Sequence, residues 1–190
     1  SRHREHYREA VDLFRQMDAL NMSPSVTDLG NLMAATAKVG DVNTAVSIWR
    51  AVVEEQREPS CALTCSFFFA LAATESNQRW YSRRHYAASV RVADIVELAR
   101  EAYVSLPDLG VPHSDPIRSA YLTVMCNHVQ RQEAERIFGQ LAVKTPFAAE
   151  TMLAMYDTLH CIDGVNQVRA VVPAGKLNRL AWRSIVRTFA

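Results

Sequence analysis

The feature that most constrains this chain is that part of it occurs twice. Residues 10–25 (AVDLFRQMDALNMSPS) and 45–60 (AVSIWRAVVEEQREPS) align without a gap at one offset, since 45 − 10 = 35 and 59 − 24 = 35. Ala10 pairs with Ala45, Leu13 with Ile48, Phe14 with Trp49, Arg15 with Arg50, Met17 with Val52 and Pro24 with Pro59. A fixed internal period of about 20–50 residues marks an array of supersecondary units. Each such unit is too small to bury its own apolar face and needs neighbours stacked against it.

One complete unit spans residues 26–60. Leu29, Leu32, Met33 and Thr36 recur at three- and four-residue intervals, the stripe of an amphipathic helix. Gly40-Asp41 reads as a turn just past a helix end. Val42, Ala45, Ile48, Trp49 and Val52 then form a second stripe, and Pro59 is expected to stop that helix. The same grammar divides the rest of the chain. Residues 1–25 read as a half repeat, 61–113 as a repeat with an insertion at 76–92, and 114–146 as a further repeat. Residues 147–175 read as a degenerate repeat and 176–190 as a terminal helix.

Finer expectations follow from the same pattern. Phe14, Trp49, Tyr103 and Phe138 should occupy equivalent buried positions. Phe67, Phe68 and Phe69 cannot all face one seam, because successive helical residues are about 100° apart. Asp115 is expected to cap a helix that opens at Pro116, and Pro146 to end the helix before it. Leu177, Leu180, Ala181, Ile185 and Phe189 should share one side of the last helix. Strand signals are nearly absent, so the fold class is all-α, an α–α superhelix of stacked helix pairs.

Composition narrows function mainly by exclusion. Apolar residues make up 49% of the 190, enough for a continuous core, and the formal net charge of +1 implies no bulk attraction to nucleic acid or membrane. No apolar run reaches the roughly 18 residues of a membrane-spanning helix. The chain opens at Ser1 in mid-repeat, which reads as either a processed chain or part of a longer one. Cys61, Cys65, Cys126 and Cys161 form no CxxC pair. Cys61 and Cys65 lie one turn apart, and His128 and His160 stand near Cys126 and Cys161. Four converging ligands are still not in sight, so neither zinc nor a disulfide nor another cofactor is expected. Without a glycine-rich phosphate loop, an HExxH or a GxSxG motif, an enzyme is not expected either.

Charge is concentrated in two places. Residues 76–92 carry Arg79, Arg83, Arg84 and Arg91 and no acid, interleaved with Trp80, Tyr81, His85 and Tyr86. Guanidinium groups among aromatic rings suit phosphate contact with base stacking, and equally a solvated loop or a protein-binding surface. Arg179, Arg183 and Arg187 follow Lys176 in a second acid-free run, and their four-residue spacing puts them on one helix face.

The second-helix pattern of Ala45, Ile48, Trp49, Val52 and Pro59, with Ala10, Leu13, Phe14, Met17 and Pro24 before it, resembles the pentatricopeptide repeat. Asn31-Leu32 and the run Lys38 to Asp41 resemble that family's first helix and turn. The resemblance implies an organellar, most often mitochondrial, protein that acts on RNA. Its base-reading positions would fall on Gly30 and Ser60, then Cys65 and His113, then Ser119 and Phe147. Gly30 has no side chain and Cys65 is a weak donor, so backbone contact is expected instead of base reading. The implied function is that of a scaffold in a mitochondrial matrix ribonucleoprotein such as the mitochondrial ribosome, with rRNA and neighbouring proteins as partners. Its RNA contacts would come from Arg79, Trp80, Tyr81, Arg83, Arg84, Arg179, Arg183 and Arg187. A protein-only scaffold and a free-standing RNA-processing factor remain alternatives.

Overall fold

The computed structural model describes residues 2–20, 22, 24–73 and 92–189. They form ten α-helices and no strand. These are α1 (Arg2–Ala19), α2 (Val26–Val39), α3 (Val42–Glu54), α4 (Cys61–Leu71) and α5 (Val92–Ser105). Then come α6 (Asp115–Asn127), α7 (Arg131–Gln140), α8 (Pro146–Thr158), α9 (Ile162–Val171) and α10 (Arg179–Phe189). Short 3-10 turns at Pro107–Leu109 and Ala174–Lys176 follow α5 and α9.

The packing is a ladder. Helix α4 touches α2, α3, α5 and α6, and helix α6 touches α4, α5, α7 and α8. Helix α8 touches α6, α7, α9 and α10 in turn. The even-numbered helices thus lie side by side, and each odd-numbered one from α3 to α9 wedges between two of them. The core follows this ladder as a run of rings. Trp49 stacks on Phe67 at 4.5 Å, Phe67 leans on Phe68, and Phe68 meets Tyr121 edge-on at 5.4 Å. Tyr121 stacks on Tyr103 at 4.1 Å, and Tyr103 on His113 at 4.2 Å.

The repeat is visible in the backbone hydrogen bonds of the loops. Met22 N–H donates to the Met17 carbonyl and Arg57 N–H to that of Val52, two bonds whose partners sit 35 residues apart (57 − 22 and 52 − 17). Val111 N–H to Leu106 repeats the closure after α5. Inside the units, Asp41 N–H bonds Thr36, Gln130 N–H bonds Met125, and Cys161 N–H bonds Tyr156. Each of these three turns passes through one left-handed residue: Gly40, Val129 or His160. Only Gly40 adopts that conformation without steric cost. Ser25, Ser60, Ser114 and Thr145 hold the N-cap position of successive even-numbered helices, and Ser25 forms a full capping box with Asp28.

Several sequence expectations are met. Trp49, Tyr103 and Phe138 are buried; the Phe14 ring lies outside the described residues. Phe67 and Phe68 are buried, whereas Phe69 turns out of the seam to meet Phe147 edge-on at 6.1 Å. Others need correction. Leu13 is 59% exposed although its counterpart Ile48 is fully buried. The reason is position, because α1 packs along α2 while α3 is covered by both α2 and α4. Ser114 is the N-cap of α6 and Asp115 its first residue. The Asp115 carboxylate instead accepts from the Ala142 and Val143 amides, tying the end of α7 to the start of α6. Pro146 opens α8 and does not close α7, since a fixed φ and a missing N–H suit a first helical turn. Helix α3 ends at Glu54, and the left-handed Gln56 turns the chain well before Pro59. Leu180 and Phe189 face solvent, because α10 buries only a narrow arc of Ala181, Ile185 and Thr188.

Candidate functional site

Of the basic positions singled out in the sequence, Arg79, Trp80, Tyr81, Arg83 and Arg84 lie outside the described residues. Arg179, Arg183 and Arg187 are exposed on α10, as their spacing requires. They are not equivalent. The Arg187 guanidinium reaches Asp157 on α8 at 3.5 Å, while Arg179 and Arg183 make no ion pair with a described residue. Beside them stand Trp182, 40% exposed, and Val186, 64% exposed. On a helix with 100° per residue, Trp182 and Val186 flank Arg179 and Arg183 on the side away from Arg187. The solvent face of α10 is therefore cationic along one line and apolar along the next. Trp182 was not among the sequence candidates, although its place between Arg179 and Arg183 was the available signal.

The positions mapped from base-reading repeats are occupied differently. Nothing stands within 4 Å of where a Gly30 side chain would begin, so that position is open but chemically blank. The Ser60 hydroxyl accepts from Leu63 N–H as a helix cap. Cys65 is half-buried, and burial beside Cys61 pushes its thiol up to about 12, leaving it protonated and unreactive. His113 Nε2 lies 2.7 Å from the Tyr103 carbonyl while its ring stacks on Tyr103. A carbonyl only accepts, so Nε2 carries the proton. Phe147 is engaged with Phe69. Ser60, His113 and Phe147 are thus committed to capping or packing.

A second charged region was not anticipated. Between α5 and α7, over α6, a cleft of about 650 Å³ is lined by Arg100, Tyr103, Arg118, Tyr121, Glu133 and Arg136, among others. Glu133 takes two hydrogen bonds from Arg136, at 2.6 and 3.0 Å, and one from the Tyr121 hydroxyl. These bonds, Arg136 foremost, hold its carboxyl below the usual glutamate range.

Among the described residues, no cluster of three or more His, Cys, Asp or Glu could hold a metal ion, and no helix is long and apolar enough to cross a membrane. No protein-family model matches this sequence, and no curated protein matches it either.

Proposed function

We infer that this chain is a non-catalytic, RNA-associated scaffold, its helix pairs stacked as a short α–α superhelix of pentatricopeptide-like units. The 35-residue offset shared by sequence and loop hydrogen bonds supports the architecture. The observation that carries the RNA reading is the α10 face, where Arg179 and Arg183 stand free of described acids beside an exposed Trp182. Phosphate contacts from guanidinium groups supply affinity without sequence preference, and an exposed indole adds stacking on any base. The mapped reading positions Gly30, Ser60 and Cys65 offer little for base edges, so binding is to the backbone. The family resemblance adds the setting, a mitochondrial ribonucleoprotein in which the chain is held between rRNA and protein neighbours.

The test is the salt dependence of binding to fluorescent single-stranded RNA oligonucleotides of unrelated sequence. Replacing Arg179, Arg183 and Arg187 with Gln should weaken binding about equally for all of them. It should also flatten the log–log salt slope by about 0.7 for each phosphate that is no longer neutralised. An unchanged slope would remove α10 as the interface. A protein-only scaffold is the second reading, favoured by Leu180, Val186 and Phe189 exposed on the same helix. It would be left standing if the unmodified chain bound no RNA at low salt.

A further inference from the structure

The cleft between α5 and α7 gathers cations from three helices. Arg100 comes from α5, Arg118 from α6 and Arg136 from α7, and the lining carboxylate is Glu133. Each arginine also has an acid three residues earlier: Glu97 at 3.4 Å, Asp115 at 3.2 Å and Glu133 at 2.6 Å. Only the last of these lines the cleft. Arg136 is satisfied by a two-pronged bond to Glu133. Arg100 holds the Gln130 side-chain carbonyl with one nitrogen and Glu97 with another.

Arg118 is the anomaly. Its Nη1 bonds an Asp115 carboxylate that already accepts from the Ala142 and Val143 amides, and its Nε is buried with no hydrogen-bond partner. A buried N–H left unpaired is rare in folded proteins and marks Arg118 as under-satisfied, while the exposed 28% of its side chain lines the cleft. Around it, burial raises the phenols of Tyr103 and Tyr121, so both remain O–H donors at neutral pH. The cleft thus presents guanidinium donors and the Tyr103 hydroxyl, with three arginines and one glutamate on its wall and Glu97 and Asp115 pairing with Arg100 and Arg118 from outside it.

We propose that this cleft binds a phosphate monoester of nucleotide size, with unused N–H groups of Arg100 and of the exposed part of Arg118 on the phosphate oxygens. Guanidinium groups converging from three helices suit the several oxygens of a phosphate better than the two of a single carboxylate. Planar guanidinium forks pair with phosphate oxygens in the geometry that makes such bonds strong. The cleft volume of about 650 Å³ lies within the range of small-molecule sites. This site is separate from the α10 face and does not depend on that reading.

The experiment is calorimetric titration of the whole chain with adenosine 5′-monophosphate, with adenosine as the uncharged control. One single-stranded RNA hexamer is added in 5′-phosphorylated and 5′-hydroxyl forms. The monophosphate, the phosphorylated RNA end or both should bind, and adenosine should not. The two hexamers are compared on the chain with Arg179, Arg183 and Arg187 replaced by Gln, because the α10 face takes internal phosphates of either one, and there the hydroxyl form should not bind. Which of the two binds identifies the source of the phosphate. Arg118→Gln should weaken binding roughly tenfold, the effect of removing one charge-assisted hydrogen bond, and Arg118→Lys should restore only part of it. Val104→Glu adds a repelling charge on the cleft wall at a position 71% exposed, where folding is not at risk, and should weaken binding too. Replacing Arg179, Arg183 and Arg187 with Gln should leave the monophosphate affinity intact. On that background, equal response to phosphorylated and unphosphorylated probes would overturn the proposal. So would unchanged affinity in both Arg118→Gln and Val104→Glu.

Discussion

Helices α4 and α10 are the same length, 11 residues, and could hardly be more different. Helix α4 (CALTCSFFFAL) carries no charge, buries six side chains and is covered by α2, α3, α5 and α6. Helix α10 (RLAWRSIVRTF) carries three arginines, buries three side chains and packs on α8 and α9. In a ladder of helices, the number of neighbours decides how much of the circumference must be apolar. A helix with partners on both sides keeps only a narrow arc for polar groups, whereas one covered on a single side has most of its surface available for binding.

The sharpest test of that contrast is a matched pair of truncations. Phe68 touches the rings of Phe67, Tyr103 and Tyr121, so Phe68→Ala should cost about 3–5 kcal/mol in urea unfolding. Val186→Ala on the open face of α10 should stay within about 0.5 kcal/mol. Comparable losses would mean that α10 is covered in the free protein.

Between these extremes lies Gly164 on α9. A Cβ there would come within 2.3–2.6 Å of the Tyr156 ring, which is itself buried and held by a hydrogen bond to Glu135. The ring cannot easily give way, so Gly164→Ala should destabilise by about 1–3 kcal/mol through overpacking. Tolerance of alanine would show that the α8–α9 contact is looser than the α4 core.

The effect of pH should be smaller and localised to the cleft. Because Glu133 has a depressed pKa in the folded chain, its contribution is complete above the ordinary glutamate range. It is lost as pH falls through that range toward the folded value. Glu133→Gln should therefore be less stable than the unmodified chain near pH 7, with the gap closing on acidification. A gap that persisted at low pH would assign the loss to packing. Smallest of all, replacing Arg179, Arg183 and Arg187 with Gln should shift stability by no more than about 0.5 kcal/mol. That leaves any change in RNA association attributable to the surface.

What could be read from the sequence follows the same division. The helix pairs were legible because Ala45, Ile48, Trp49 and Val52 share a spacing of buried residues with Ala99, Ala102, Tyr103 and Leu106 on and after α5 and with Ala134, Ile137, Phe138 and Leu141 on and after α7. The first turn was legible because Gly40 is the residue a left-handed cap prefers. The matching turns at Val129 and His160 were not, since local sequence there is overruled by the helices on either side. The exposed Leu13, Leu180 and Phe189 misled because apolar spacing cannot say whether a neighbour exists to cover it. The α10 arginines were plain as an acid-free run. Arg100, Arg118 and Arg136 were hidden, because each sits three residues after an acid and reads as a neutral intrahelical pair. Only packing shows that α5, α6 and α7 bring those three cations to one wall.

The Phe69–Phe147 contact has a mechanical consequence. In this ladder the even-numbered helices touch in succession, α4 on α6 and α6 on α8. A ring pair joining α4 to α8 reaches past the intervening α6 and ties together two helices that are not successive rungs. An aromatic pair is worth about 0.5–1.5 kcal/mol, so the tie is a modest brace that separating α4 from α8 would have to break.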